Sequence, residues 1–434
     1  MKSADGTNKL WKFINKISLI KKSIRVKKRV DESQENRVRK SAKSYTELSE
    51  SYDTYYYLND CGGYDAFCRS DGKELDERLE SIVTLSADLH DKSVLDIGCG
   101  RGELSNRLYE MGAKVVGVDY SRDAIDIASS TFSGNVGSRL KYLCEDVLTF
   151  PNEEKYDRII MADVVEHIEQ EALDALLQKV SKLLNDNGYL LIHTAPNKLF
   201  YDVFYAAKVR EARASGVDMP ENPRSHYENL MHINEQTPET LTTTLKQYFS
   251  QVVVWTSHDW FLEWFGKDCP YETVCSHNSI YAIAAHSADT LRRVVELVDE
   301  IRNYKLDMDE IDVEIYTDEG SYASIDKNSS VRVRVKNNGT KRIRIHAAYP
   351  INISYHIIDG EGDVMVFDGQ RTRIIRDILP GDIIEQDVRI DVNNDLIDIN
   401  RNFRAVITLV QEGMFWFDEI DKRFSCEVGL GDKM

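Results

Sequence analysis

The chain has little proline, 8 residues in 434, and none of its 7 cysteines pairs with another at C-x-x-C spacing. An odd cysteine count without such spacing argues against a disulfide framework and fits a reducing compartment. Long hydrophobic runs are missing too. No stretch approaches the roughly 18 apolar residues that span a bilayer, and no apolar core follows the first lysines to make a signal peptide. The expected location is the cytoplasm. Net positive charge is also absent: the formal charge is -18, which argues against general nucleic-acid binding. The acidity is uneven. The first 43 residues hold 14 Lys or Arg against 4 Asp or Glu, while the remaining 41 Lys or Arg face 69 Asp or Glu.

What is present organises around residues 93–121, SVLDIGCGRGELSNRLYEMGAKVVGVDYS. An apolar strand through Val94, Leu95 and Ile97 ends in glycines at alternate positions, Gly98, Gly100 and Gly102. A helix with Leu104, Leu108 and Met111 on one face follows. A second strand then ends at Asp119, 17 residues past the last glycine, where a carboxylate can accept ribose hydroxyls. Glycines in such a turn let the backbone approach a ligand, and the helix start offers free N–H groups. The dinucleotide pattern G-x-G-x-x-G needs glycine at position 103, where Glu103 stands, so NAD is disfavoured. Asp96, inside the turn, disfavours a pyrophosphate and suits a cationic amino group.

The turn closely resembles motif I of the class I S-adenosylmethionine-dependent methyltransferases, D-x-G-x-G-x-G, at Asp96, Gly98, Gly100 and Gly102. The resemblance implies an α/β, Rossmann-like seven-stranded sheet and S-adenosyl-L-methionine as cofactor. The expected cofactor-binding set is Asp96, Gly98, Gly100, Gly102, Asp119, Tyr120, Asp146, Val147 and Asp163, with Tyr64 folded over as a cover. Asp146, at the end of the third strand, matches the family's adenine-bordering carboxylate. A fourth strand ends in A-D-V-V-E-H, residues 162–167.

The segment 195–238 breaks the alternation of strand and helix and holds half of the prolines. It reads as a lid, the place where many class I enzymes carry their acceptor site, or as a solvated loop. Its MHINEQTPETL run resembles a segment of methyltransferases related to ubiquinone-biosynthesis and cell-surface-glycan enzymes. His167 and His232 are the candidate bases for a hydroxyl acceptor, with Glu166 beside them. The reading is metal-free; the alternative is a divalent ion held by D-x-x-E-H at Asp163, Glu166 and His167.

Beyond a helical connector, 289–309, the apolar period changes to two, as in VRVRV at 331–335 and INISYHII at 351–358. Short strands punctuated by turns indicate an all-β sandwich over 310–434. The runs YPINISYHIIDGEG, FDGQRTRI, LPGD and VQEGMFWF resemble immunoglobulin-like modules of bacterial glycan-processing enzymes. Tyr355, His356, Trp416 and Phe417 are its candidate sugar-stacking residues. At the other end, Leu10, Phe13, Ile14, Ile17, Ile20 and Ile24 recur at helical spacing among lysines and arginines. Residues 9–30 thus form a basic amphipathic helix suited to an anionic membrane face, to a partner protein or to a disordered tail. The expected layout is a basic segment 1–43, a methyltransferase domain 44–288, the connector and the sandwich. The expected activity is O-methylation of a sugar hydroxyl on a cell-surface or lipid-linked glycan at the inner membrane face. The alternatives are a quinone precursor or natural product as acceptor, and a non-catalytic scaffold of a glycan assembly complex.

Overall fold

The computed structural model describes residues 51–86, 88–150, 154–256, 270–318, 321–323, 330–345, 349–374, 377–391 and 402–431. The basic segment 1–43, and with it the membrane-facing helix at 9–30, lies outside these residues. Residues 53–434 form one compact unit.

Seven strands build the first sheet: β1 (Ser93–Ile97), β2 (Lys114–Asp119), β3 (Leu140–Cys144), β4 (Tyr156–Ala162), β5 (Leu184–Thr194), β6 (Gln251–Trp255) and β7 (Ile280–Ala285). Their spatial order is β3-β2-β1-β4-β5-β7-β6, with β7 antiparallel to both of its neighbours. The chain reverses its direction of travel between β1 and β4. In a doubly wound sheet the crevice at such a switch point, at the carboxyl ends of the strands, is where ligands bind.

Helices cover both faces, which is why β7 reads as one unbroken apolar run and why the apolar residues of β1 and β4 do not alternate with polar ones. In chain order they are α1 (Thr54–Asn59), α2 (Tyr64–Ser70), α3 (Glu77–Ser86), α4 (Glu103–Glu110), α5 (Arg122–Thr131), α6 (Gln170–Leu183), α7 (Ala206–Ala214), α8 (His226–Met231), α9 (Pro238–Leu245), α10 (Tyr271–Ser276) and α11 (Ala288–Asn303). Helices α3, α4 and α11 pack over Val94 and Val115 on one face, and α6 and α9 over Leu95 and Ile159 on the other. The connector expected at 289–309 is thus largely α11, and its Val294 and Val298 sit in the same core as β1. Its apolar stripe, not its sequence position, decides this.

Beyond α11, two sheets face each other across one core. The first has the order β14 (Ile383–Arg389), β10 (Ser330–Asn337), β8 (Val313–Thr317). The second is built on β11 (Ile351–Ile358), β15 (Phe403–Gln411) and β17 (Ser425–Leu430), with short strands β12 (Val364–Val366) and β13 (Thr372–Arg373) beside β11, β16 (Phe415–Trp416) beside β15 and β9 (Tyr322–Ala323) beside β17. Inward residues Val331, Val333, Val335, Ile353, Tyr355 and Ile407 fill the space between the sheets, as period-two patterning requires. Between β10 and β11, Ile343 meets Ile378 in an isolated bridge.

The expected sugar-stacking aromatics are not available. Tyr355 and Phe417 are core residues at 1% and 0% exposure. His356 and Trp416 pack on each other at 4.3 Å between ring centroids and are covered by Phe367 and Arg371. Alternation did place Trp416 on the face opposite Phe417, but that face is closed by its neighbours.

The β region packs on α3. Arg373 lies 2.9 Å from Glu80, whose carboxyl is held above the usual range by burial, and Arg342 reaches Asp88 at 3.4 Å. Because the Arg373 side chain is 46% exposed, its pairing is screened, and Arg373→Ala is expected to cost about 1 kcal/mol of unfolding free energy, not the larger loss of a fully buried pair. Urea denaturation measures this, and an unchanged midpoint would show that the contact contributes nothing.

Candidate active site

The turn between β1 and α4 is built from three residues in the left-handed region, Gly98, Gly100 and Gly102, at φ 71°, 51° and 81°. Two of these positions also have no room for a side chain. A Cβ on Gly98 would lie 2.6 Å from Val164, and one on Gly102 would lie 2.7 Å from the Tyr142 ring. At Gly100 the nearest atom to a Cβ would be a ring carbon of Tyr57, at 3.6 Å. Tyr57, on α1, is therefore the residue above the turn. Tyr64, the expected cover, instead opens α2, seven residues later.

Two arginines that sequence reasoning passed over hold this cover down. Arg101, between the second and third glycines, is 2% exposed. Its guanidinium donates to the carbonyls of Tyr57 (2.7 Å) and Gly62 (2.6 Å) and to Glu103 Oε1 (2.6 Å). Arg78, on the first turn of α3, donates to Gly62 O at 3.2 Å and pairs with Asp76 and Asp163. A charged residue sandwiched between turn glycines was the available signal for Arg101. Arg78 looked like any surface charge on a helix.

The strand-end acids divide into two kinds. Asp119 accepts from the Gly100 N–H (3.0 Å) and the Ser121 N–H (2.8 Å), and burial pushes its carboxyl up to about 6. Each oxygen keeps a lone pair for a ligand hydroxyl. Tyr120, beside it, is 37% exposed, and Asp146 and Val147 lie on the neighbouring loop after β3, where Asp146 Oδ1 accepts from the Leu148 N–H. Asp96 is different. Its carboxyl is 1% exposed, accepts from Ser105 Oγ at 2.6 Å and is pushed up to about 7 by burial. It braces α4 from beneath the turn; the expected wall for an amino group is not what the fold makes of it.

Asp163, just past β4, has a φ of 55°, and its carboxylate is shared between Arg78 and His193 Nδ1. Those bonds hold the strained backbone. The loop then turns Glu166 and His167 inward. Glu166, 1% exposed, accepts from Thr194 Oγ1 at 2.7 Å, and its carbonyl accepts from the Asn234 N–H at 3.0 Å. The expected lid is partly helical, with a π-helical turn at Phe200–Tyr205 running into α7, and with α8 started by a Ser225–Glu228 capping box. It brings His232 to within 4.9 Å of His167, ring centroid to ring centroid. Burial pushes both imidazoles down to about 4. His167 Nδ1 lies 3.3 Å from the carbonyl of Met231, which can only accept, so Nδ1 carries the proton and Nε2 is the basic nitrogen of the ring.

Ligand atoms of Glu166, His167 and His232 all lie within 4.8 Å of one another, a set of one carboxylate and two imidazoles able to hold a divalent ion. The alternative through D-x-x-E-H thus changes its third donor: His232 comes in and Asp163, already shared by Arg78 and His193, drops out.

Residues 72–249 match the family model described as a methyltransferase domain. Among curated relatives, the ubiquinone biosynthesis O-methyltransferase of Pelagibacter ubique is 34% identical over 111 residues, 26% of this chain and 45% of that protein. The protein of the same name from Bradyrhizobium diazoefficiens is 33% identical over 101 residues, 23% of this chain and 39% of that protein. The chain spans about half the length of the curated relatives it matches. Among solved structures, the magnesium protoporphyrin IX methyltransferase of Synechocystis, with bound SAH, superposes with a TM-score of 0.35 at 17% identity, covering 55% of this chain and 96% of that one.

S-adenosylmethionine is the cofactor that the residues of the methyltransferase domain fit. The glycine turn admits a close ligand, Asp119 can take a ribose diol, and half-buried Arg78 supplies a cation for an amino acid carboxylate. Asp119→Ala is expected to weaken S-adenosylmethionine binding at least about tenfold in calorimetry, since hydrogen bonds to a charged group contribute roughly 1.5 to 3 kcal/mol. Unchanged affinity would sink that role.

Asp96 makes a second prediction. Its folded pKa is raised, so its contribution to stability is present at low pH and is lost as pH rises through about 7. The buried histidines act in the opposite sense, so wild type alone is uninformative. The difference in unfolding free energy between wild type and Asp96→Asn should instead shift by about 1.4 kcal/mol between pH 6 and pH 8, in favour of the variant at the higher pH. A pH-independent difference would mean that Asp96 is ionised throughout.

Proposed function

We propose that the protein transfers a methyl group from S-adenosylmethionine to a hydroxyl oxygen, most specifically a sugar hydroxyl of a cell-surface or lipid-linked glycan. The observation that carries the reading is the pair of burial-neutralised imidazoles, His167 and His232, at the carboxyl end of β4. The cofactor supplies an activated methyl group on a sulfonium. The protein has to align the acceptor oxygen in line with it and remove one proton.

A weak base suffices for that task. As the new O–C bond forms, the hydroxyl becomes strongly acidic, and its proton passes to an imidazole that burial keeps uncharged and ready to accept. Glu166 and Glu235 favour the protonated form of His232, so the proton has a stabilised destination. Arg224 keeps Glu235 in place through bonds of 3.0 and 2.7 Å and lies 3.8 Å over the Tyr201 ring. These contacts tie separate parts of the lid to one another.

An alcohol needs this help more than a phenol does, since a phenol ionises near pH ~10 unaided. A quinone precursor is the second reading, favoured by the names of the relatives, ubiquinone biosynthesis O-methyltransferases. Recruitment to an anionic membrane through residues 9–30 belongs to the same proposal. Among the described residues no helix is long and apolar enough to cross a membrane.

His232→Ala and His167→Ala are each expected to lower turnover by about 10² or more, the usual scale of general base catalysis, and to leave S-adenosylmethionine affinity unchanged. Production of S-adenosylhomocysteine with glycan and catechol acceptors measures the first and calorimetry the second. Wild-type turnover in both variants would refute the base assignment. Activity lost on dialysis against EDTA and restored by manganese would move proton removal to an ion held by Glu166, His167 and His232.

A further inference from the structure

Helix α8 of the lid is pinned at both ends. At its end, the Met231 carbonyl meets His167 Nδ1, and three residues on the Asn234 N–H donates to the Glu166 carbonyl. At its start, the Tyr227 ring packs on Tyr56 of α1 with 5.2 Å between centroids, and Ser225 Oγ, the cap of α8, lies 3.4 Å from Asp60 Oδ2 just past α1. The helix has six residues, about 9 Å of length. A helix this short is not stable by itself in water. Its position, and that of His232 directly after it, therefore comes from its two anchors.

The first anchor leads back to the cofactor turn. Tyr56 is 9% exposed and packs edge-on against Tyr57, again with 5.2 Å between centroids. Tyr57 lies over Gly100, and its hydroxyl is held above the usual range by burial and then by the charge of Asp119, the carboxylate that fits a ribose. A ligand filling the crevice between the turn and Asp119 thus bears on Tyr57. From there the rings of Tyr57, Tyr56 and Tyr227 touch in succession and end on α8. The second anchor belongs to the β4 loop, where Val164 caps Gly98.

We propose that cofactor binding seats the acceptor lid, with the contact between Tyr56 and Tyr227 carrying the effect from the cofactor turn to His232. The cofactor then binds before the acceptor, because the fixed cover completes the seat on which α8 brings His232 to His167. Tyr56 and Tyr227 are positioning residues, acting through α1 and α8 rather than on the reacting atoms. The proposal rests on S-adenosylmethionine as cofactor and holds for any hydroxyl acceptor. By linkage, whatever factor the cofactor adds to closure of the lid, a closed lid adds to cofactor affinity. Tyr227, a lid residue outside the cofactor turn, must therefore influence how tightly the cofactor binds.

The test uses the full chain with S-adenosylhomocysteine, which carries no methyl group to transfer. It reads amide hydrogen exchange of residues 226–231 by mass spectrometry and affinity by calorimetry. In wild type, saturating S-adenosylhomocysteine should slow exchange in α8 at least about threefold, the scale of one aromatic pair. Tyr227→Ala should lose that protection and bind S-adenosylhomocysteine at least about threefold more weakly. Tyr227→Phe, which keeps the ring, should match wild type in both measurements. Affinity separates coupling from mere support of α8, since a residue that only props up the helix leaves cofactor affinity unchanged. Absence of protection in wild type overturns the proposal whether or not the variants fold. Unchanged affinity in Tyr227→Ala overturns it as well, and protection that survives in that variant would assign the coupling to the β4 loop instead. No binding of S-adenosylhomocysteine to wild type would refute the cofactor reading itself, and the proposal with it.

Discussion

The guanidinium of Arg101 is the interaction on which the cofactor end of the molecule depends. Gly100 and Gly102 both have positive φ, and Arg101, held between them, reaches back to the segment 57–62. Burying a guanidinium costs several kcal/mol unless it is paired and hydrogen-bonded. Here Glu103 neutralises it, and the carbonyls of Tyr57, Cys61 and Gly62 take up its remaining donors. Turn and cover are consequently one piece, and Tyr57 lies over Gly100 because the same side chain fixes both.

Arg78 extends that logic to the other side of the crevice. It bonds Gly62 in the cover and Asp163 in the loop after β4, so α3 bridges the two walls between which a ligand must sit. Asp163 in turn tolerates a left-handed backbone because Arg78 and His193 hold its carboxylate. The kink redirects the chain so that Val164 caps Gly98 while Glu166 and His167 turn toward the lid. Two residues beyond Arg78, Glu80 meets Arg373 of the β region. The β region is therefore built onto the helix that organises the site, which a reading of it as a separate appended module did not anticipate.

The sheet was legible in the sequence because buried parallel strands are short apolar runs ending in polar residues. Lys114–Asp119 ends in Asp119, Tyr156–Ala162 runs into Asp163, and Ser93–Ile97 runs into the glycine turn whose spacing locates the crevice beside them. Charge pairing was not legible. Asp96 sits one residue before the end of β1, opposite Gly117, and Asp119 ends β2; one faces Ser105 beneath the turn and the other faces the turn itself. The register puts both on one face of the sheet, so a two-residue difference in height along the strands separates them. Tyr64 and Tyr57 were likewise indistinguishable among five clustered tyrosines until Arg101 fixed which of them lies over the glycines. The aromatic run around Trp416 misled for a related reason: alternation names two faces and says nothing of what covers the second.

Histidine chemistry in the lid follows from burial more than from neighbouring charge. Loss of solvent is the leading cause of the lowered pKa at both His167 and His232, and the lid supplies much of that shielding while also delivering His232 itself. The lid is tied down by bonds that converge on the β4 loop: Met231 O with His167 Nδ1, and Asn234 N–H with Glu166 O. Docking the lid therefore performs three operations at once. It fixes the His167 tautomer, keeps both rings uncharged at neutral pH, and places Glu166 where an imidazolium formed on His232 is stabilised. A lid displaced from β4 would return both rings toward the ordinary imidazole range and break the pairing that, on the proposed function, receives the proton, so on that reading competence for proton removal and closure over the acceptor are the same structural event.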